Sequence, residues 1–317
     1  ILAKAPTFII ASLVVTAISF ATLAYKGGAS FGIDFRGGGM VHLELKQGKS
    51  IADSDLDAAL KGLKLDNGQP IGSYYPQRKG SATGGDVIAI RCEFEAGPTI
   101  ETAVKAKFGD AILGGQTERV GAVIGNESAK TSLFALAIAL VFIFFYLLIR
   151  YEFAFALGAV VALGHDVLMV PGLCVLFGQE LSLIHVGAML TIAGYSINDT
   201  IVVFDRIRET IQRGGSGSIR DLMNEAICKT LSRTLLTGPT ALAPMIVLLF
   251  LGNPAMLEFA VPITIGVVLG TYSSIFIASP LVLWYATKTG QSLKRKVLDT
   301  HQQAQKAAAA VAAAKTV

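Results

Sequence analysis

Asp199 is the residue whose type and position most demand chemistry. It lies in Gly194-Tyr195-Ser196-Ile197-Asn198-Asp199-Thr200-Ile201-Val202-Val203-Phe204-Asp205-Arg206-Ile207-Arg208-Glu209, which closes an apolar stretch beginning near Leu181. If Asp205 and Arg206 mark the water boundary, then at ~1.5 Å per helical residue Asp199 sits ~9 Å deeper. A charge at that depth costs about 3 kcal/mol or more unless paired or hydrated, which points to an ion or substrate path. Tyr195 and Ser196 precede it by four and three residues. Phenol, hydroxyl and carboxylate therefore share one helical face, and such a face cannot look at lipid. A second polar pair, His165 and Asp166, falls in another apolar run, where Gly158, Ala162 and Asp166 stand four residues apart. That pair reads either as an extension of a proton relay or as hydrogen-bonding groups between helices. Asn198 points to another face, and His185 is expected at the membrane interface.

The elements that must hold these residues are membrane helices. Of 317 residues, 52% are hydrophobic and only 16% charged, with a mean hydropathy of +0.57, far from an ordinary soluble domain. Runs long enough to span are read at 6–25, 130–149, 153–177, 181–204, 235–251 and 257–287, six in all. The first is too long and too apolar for a cleaved signal peptide and is read as a retained helix. Arg150, then Arg206, Arg208, Arg213, Arg220, Lys229 and Arg233, then Lys288, Lys294, Arg295 and Lys296 follow spans two, four and six. Those ends, and with them both termini, are expected on the cytoplasmic side. A net charge of +4 concentrated in such loops implies topology and contacts with membrane lipids, and no nucleic-acid partner. Cys92, Cys174 and Cys228 fall in places where no two can meet, so neither a disulfide nor a metal motif is expected.

Between spans one and two the pattern changes to short alternating segments broken by glycine. Strands are expected at 40–47, 71–77, 87–95 and 116–123, with a helix after the box-like Ser50-x-x-Asp53 and another opened by Pro98. The order strand, helix, strand, strand, helix, strand is that of the ferredoxin-like α+β fold. Asp34, Gly37, Gly38 and Gly39, just after span one, suit a hinge or close backbone packing. A phosphate loop would need a Lys-Ser or Lys-Thr to follow, and none does. His42 is read as structural. On the last span Gly266, Gly270, Ser274 and Ala278 form a stripe of small residues for helix packing. Expected divisions are residues 1–25 (helix), 26–128 (outer domain), 129–287 (five helices, with an amphipathic segment at 206–233) and 288–317 (a disordered tail). A flexible break is expected at 214–218.

Three motifs, Gly32-Ile33-Asp34-Phe35 with Gly37-Gly38, His165-Asp166, and the long segment around Asp199, resemble the signatures of the SecF family. The resemblance covers nearly the whole chain. It implies a six-span bundle similar to one half of an RND-type transporter, with a ferredoxin-like periplasmic domain between its first two helices, in the bacterial inner membrane. It further implies pairing with SecD, association with SecYEG and often YajC, and use of the proton-motive force to move preproteins. No cofactor is implied beyond the coupling ion, a proton, with sodium as the alternative. By the same resemblance Asp199 and Arg233 belong to the proton pathway, where burial and the guanidinium would tune the carboxyl in opposite senses. His165, Asp166, Tyr195 and Ser196 are read as further members.

One departure and two alternatives follow. Where the family has a Ser/Thr-rich entry to span five, this chain reads Thr237-Gly238-Pro239-Thr240-Ala241-Leu242-Ala243-Pro244, and two prolines are expected to kink the helix. Thr237 and Thr240 then remain as the hydroxyl candidates. An RND-like exporter of small molecules or lipids would call for an aromatic-rich outer cleft, whereas Phe31, Phe35, Tyr74, Tyr75, Phe94 and Phe108 are few and scattered. An intramembrane hydrolase using His165, Asp166 and Asp199 has neither Gly-x-Ser-x-Gly nor His-Glu-x-x-His behind it. No catalytic residue is expected.

Overall fold

The computed structural model describes residues 1–65, 67–80, 86–213, 217–252 and 254–289. The expected tail from 290 onward and the core of the break at 214–216 lie outside the described residues. Six helical stretches are long and apolar enough to cross a membrane. They are α1 (Ala5–Lys26), α5 (Ala122–Arg150), α6 (Phe153–Leu176), α7 (Leu183–Gln212), α8 (Ile219–Leu251) and α9 (Pro254–Ser273), which continues through a π turn (Ser274–Ala278) into α10 (Ser279–Lys288). The π turn has a local cause: Pro280 lacks the N–H that an α turn would need, and the chain widens just ahead of it.

Several bounds differ from the sequence expectation. Helix α5 starts at Ala122, eight residues early, because the polar first turns that follow the sheet are already helical. Helix α7 continues past Asp205 and Arg206 to Gln212. The segment expected as a separate amphipathic piece and span five are one 33-residue helix, α8, opened by a Ser218 and Asp221 capping box. It runs through Pro239 and Pro244 without interruption, so the expected kink does not divide it.

Between α1 and α5 lie a one-turn helix α2 (Ile33–Arg36), β1 (Gly38–Leu45), α3 (Asp53–Leu60), β2 (Tyr75–Gly80), β3 (Asp86–Cys92), α4 (Ala96–Phe108) and β4 (Ile112–Val120). The strands form one antiparallel sheet in the order β2-β3-β1-β4, with Val41 opposite Ile90 and Thr117. Alternation sends Val41, Leu43, Ile88 and Ile90 to one face, where Leu56, Leu60, Ile100 and Val104 close a core. Corrections here are small. Ser50 is not the cap of α3, whose N-cap is Ala52. The second strand begins at Tyr75, since Ile71 is engaged in a turn with Leu63. Helix α4 starts two residues before Pro98.

The sheet unit is fastened to the bundle through the connection between α6 and α7. Leu181 N donates to Ser30 O at 2.7 Å and Gly32 N to Leu181 O at 2.8 Å. Gln77 and Arg91, on β2 and β3, reach Glu180 Oε1 at 2.7 and 3.4 Å. The first amide of α7, Leu183 N, donates to Asp34 Oδ2 at 3.0 Å, a carboxylate placed at a positive helix end. Gly37 takes φ +75°, and a Cβ there would stand 2.5 Å from Ala122 Cα. A Cβ on Gly38, at φ +124°, would stand 3.0 Å from Cys92 O, and one on Gly39 3.0 Å from Cys92 Sγ and Glu93 O. At these glycines the structure has tight backbone packing against α5 and β3.

Candidate functional site

Two carboxylates lie inside the bundle, and hydroxyls surround both. Asp199 on α7 is 5% exposed. Its Oδ1 accepts from Thr234 Oγ1 on α8 at 3.1 Å and its Oδ2 from Ser274 Oγ in the π turn at 2.6 Å. Asp166 on α6 is fully buried. Its Oδ2 accepts from Ser196 Oγ at 2.7 Å and Ser273 Oγ at 2.6 Å, while Oδ1 meets His165 Nδ1 at 2.9 Å. His165 Nε2 in turn faces Ser12 Oγ on α1 at 2.5 Å.

One helix serves both acids at the start of the π turn. Ser273 and Ser274 are neighbours in sequence, yet each turns to a different carboxylate, and Ser279 Oγ donates to the Ser274 carbonyl that the widened turn exposes. Likewise Ser196, one turn before Asp199, bonds to Asp166 and not to its own neighbour. The result is two hydrogen-bonded groups, Ser12–His165–Asp166–Ser196/Ser273 and Ser274–Asp199–Thr234, joined through the backbone of α7 and of the π turn. Small residues bring the helices that close. A Cβ on Gly266 would fall 2.4 Å from Ile192, and one on Gly270 3.1 Å from Ser196. Ala278, fully buried, packs its carbonyl 2.9 Å from the Cβ position of Gly158.

Arg233 stands apart from the expectation. It makes no ion pair with Asp199 among the described residues, because successive residues of a helix point ~100° apart and it is Thr234 that turns inward. The guanidinium is exposed and lines a crevice of about 550 Å³ with Asp205, Arg206, Glu209, Lys229 and Thr230. Tyr195 is half-buried beside Gly238, and its hydroxyl joins neither group. Thr237 and Thr240 bond back to carbonyls of their own helix. His185, expected at the interface, is fully buried and completes a capping box with Ser182.

Ser12, Thr234 and Ser273 are the residues that sequence reading passed over. For Ser12 a signal existed: Ser12, Thr16 and Ser19 are four and three apart, and all face α6, with Thr16 on Met169 Sδ and Ser19 on Met169 O. Gly172 lets that happen, since a Cβ there would overlap the Ser19 backbone. Ser12, His165 and Asp166 have the order of a nucleophile, base and acid. Ser12, however, sits inside α1, where the amides are held in helical bonds, so no pair of free donors faces it to stabilise an oxyanion. Among the described residues no group of three or more His, Cys, Asp or Glu is placed to hold a metal.

The family described as protein export membrane protein SecD/SecF, C-terminal, matches residues 99–288. The protein translocase subunit SecF of Thermodesulfovibrio yellowstonii is 36% identical over 82% of this chain and 84% of its own length. That of Desulfurispirillum indicum is 37% identical over 86% and 87%. The protein translocase subunit SecDF of Brucella abortus is 32% identical over 82% of this chain, which spans only 34% of that longer protein. The crystal structure of SecDF, a translocon-associated membrane protein, from Thermus thermophilus superposes with a TM-score of 0.76 at 30% identity. It covers 90% of this chain and 38% of its own. A SecDF structure in a super-membrane-facing form gives 0.61 at 28% identity. With its profile match, its SecF relatives and its six-span bundle in agreement, the chain belongs to the SecD/SecF family of protein-export membrane proteins.

Proposed function

We propose that the chain is the SecF-type half of a proton-driven protein translocase in the bacterial inner membrane, working with a SecD partner to promote preprotein movement through SecYEG, with YajC as an accessory. The observation that carries this is the pair of buried carboxylates, each held by hydroxyls, Asp166 by His165 as well, and neither paired with Lys or Arg among the described residues. A carboxyl in such a cage exchanges its proton without breaking a salt bridge, and hydroxyls serve it as donors or acceptors in either state. Asp199 is the coupling site, Arg233 the charge that acts on it from the crevice, and Asp166, His165, Ser196 and Tyr195 its surroundings. A proton is the coupling ion, with sodium as the alternative.

The finer architecture belongs to the same proposal. The bundle is an RND-like half, both termini are cytoplasmic, and residues 26–128 form a periplasmic domain of ferredoxin-like type. In support, the strand order β2-β3-β1-β4 with its two helices has the required arrangement. The fused SecDF relative supports SecD as partner. Each proton moved through the full field supplies ~2.3 kcal/mol per 100 mV, enough to bias a conformational equilibrium of a few kcal/mol. Movement of α7 reaches the outer domain through Asp34, Leu181 and Glu180. A cross-link freezing that domain is expected to abolish stimulation.

The test is preprotein translocation driven by proton-motive force in vesicles carrying Asp199→Asn, after assembly with SecD has been verified. Lost stimulation with intact assembly places Asp199 in energy coupling. Normal stimulation would make it a structural polar residue.

A further inference from the structure

On the side of the bundle formed by α1, α6 and α10, away from Asp199 and ending at Ser12 and His165, runs an apolar groove of about 940 Å³, in the size range of ligand sites. Along α10 and the π turn it extends from Thr287 to Ile277, ten residues and so ~15 Å. That is half of a hydrocarbon core of ~30 Å, the depth of one leaflet. Its walls include Leu13 and Trp284, which remain 62% and 52% exposed.

The mouth of the groove is cationic. Arg220 lines it and makes no hydrogen bond or ion pair among the described residues. The adjacent Asp221 is engaged at the start of α8, with Ser218 Oγ donating to Asp221 Oδ2 at 2.6 Å. Lys288 Nζ lies 4.9 Å over the ring of Trp284, the aromatic at the groove's edge. An aromatic and a lysine paired at a helix end are what a membrane–water boundary favours.

We propose that this groove binds an anionic phospholipid, its acyl chain along the walls and its phosphate between Arg220 and Lys288. A zwitterionic lipid satisfies the walls but sets its own cation against these two, whereas an anionic headgroup matches both walls and mouth. The acyl chain ends where Ser12 Oγ meets His165 Nε2 at 2.5 Å, and it closes that side of the bundle to water. This site does not depend on the proton reading of Asp199, and its test uses no translocation measurement.

The purified protein is placed in nanodiscs containing equal phosphatidylglycerol and phosphatidylcholine, and retained lipids are read by native mass spectrometry. Phosphatidylglycerol is expected in excess, and Arg220→Gln and Lys288→Gln are each expected to lower that excess about fivefold. Leu13→Trp fills the groove from a lipid-exposed position and is expected to remove the retained lipid with the thermal melt unchanged. Equal retention of the two lipids, or an excess indifferent to the three substitutions, overturns the proposal. So does a photoreactive side chain at position 13 that, in native membranes, captures a polypeptide in place of phospholipid.

Discussion

Asp166 and Asp199 invite comparison because both are carboxylates at membrane depth and both are bonded by neighbouring serines, the last of α9 and the first of the π turn. Asp166 is closed in by His165 on its own helix, Ser196 on α7 and Ser273 at the end of α9. Asp199 has two donors only, and the residue beside its partner Thr234 is Arg233, which opens onto a crevice of about 550 Å³. Asp166 thus links three helices, while Asp199 lies one residue from the helix position that lines the crevice. The lesson is that burial alone does not assign a coupling role, and that the number of partners and the distance to a crevice differ between two equally polar sites.

The largest expected effects break this contrast apart if it is wrong. Asp199→Asn is expected to remove proton-driven stimulation while leaving the thermal melt of the complex nearly unchanged, since Thr234 and Ser274 can rotate to suit an amide. Asp166→Asn is expected to cost about 1–3 kcal/mol, because three partners from three helices, His165, Ser196 and Ser273, would all have to readjust around an amide in a fully buried site. Equal stability losses in the two variants would erase the distinction. Next, Gly266→Val drives a branched side chain into Ile192 and is expected to destabilise by about 1–3 kcal/mol, lowering both the melt and the assembly yield. If it is neutral, the caging of Asp199 does not depend on that helix approach.

Smaller effects sharpen the comparison at the outer end. Glu180→Gln keeps an acceptor for Gln77 but loses the charge facing Arg91. Faster hydrogen exchange in β2 and β3, with α6 and α7 unchanged, is the expected outcome, at about 1 kcal/mol or less. Smallest is Glu101, whose carboxyl is held below the usual range first by its hydrogen bond to Lys105, then by that from Thr117. A lowered folded value contributes stability above the unfolded pKa and loses it as pH falls through the folded one. Glu101→Gln is therefore expected to slow nothing in acid and to quicken exchange in β4 only above about pH 4. Thiol labelling offers a check on the packing: burial pushes Cys92 up to about 11. Exposed Cys228 is thus expected to react at neutral pH while Cys92 does not.

Much of this was legible from single residues. An aspartate in an apolar run can only be paired, hydrated or functional, so Asp199 announced itself without a fold, and His165-Asp166 did so for the same reason. Six spans followed from length and apolarity, and the succession of strands and helices between the first two from alternating segments. The partner choice was not legible. Whether Arg233 or Thr234 faces Asp199 depends on the rotation of α8, and the π turn that sends Ser273 and Ser274 to different acids has no periodic signature.

By itself, then, the sequence determined that charges lie within a membrane bundle and which residue types could surround them, because hydrophobic cost is local to each residue. The tertiary structure decided which hydroxyl meets which carboxylate, that Arg233 makes no ion pair with Asp199, and where the sheet domain is fastened. Those depend on helix rotation and on approaches such as Gly266 to Ile192, set jointly by all neighbours and by no single segment.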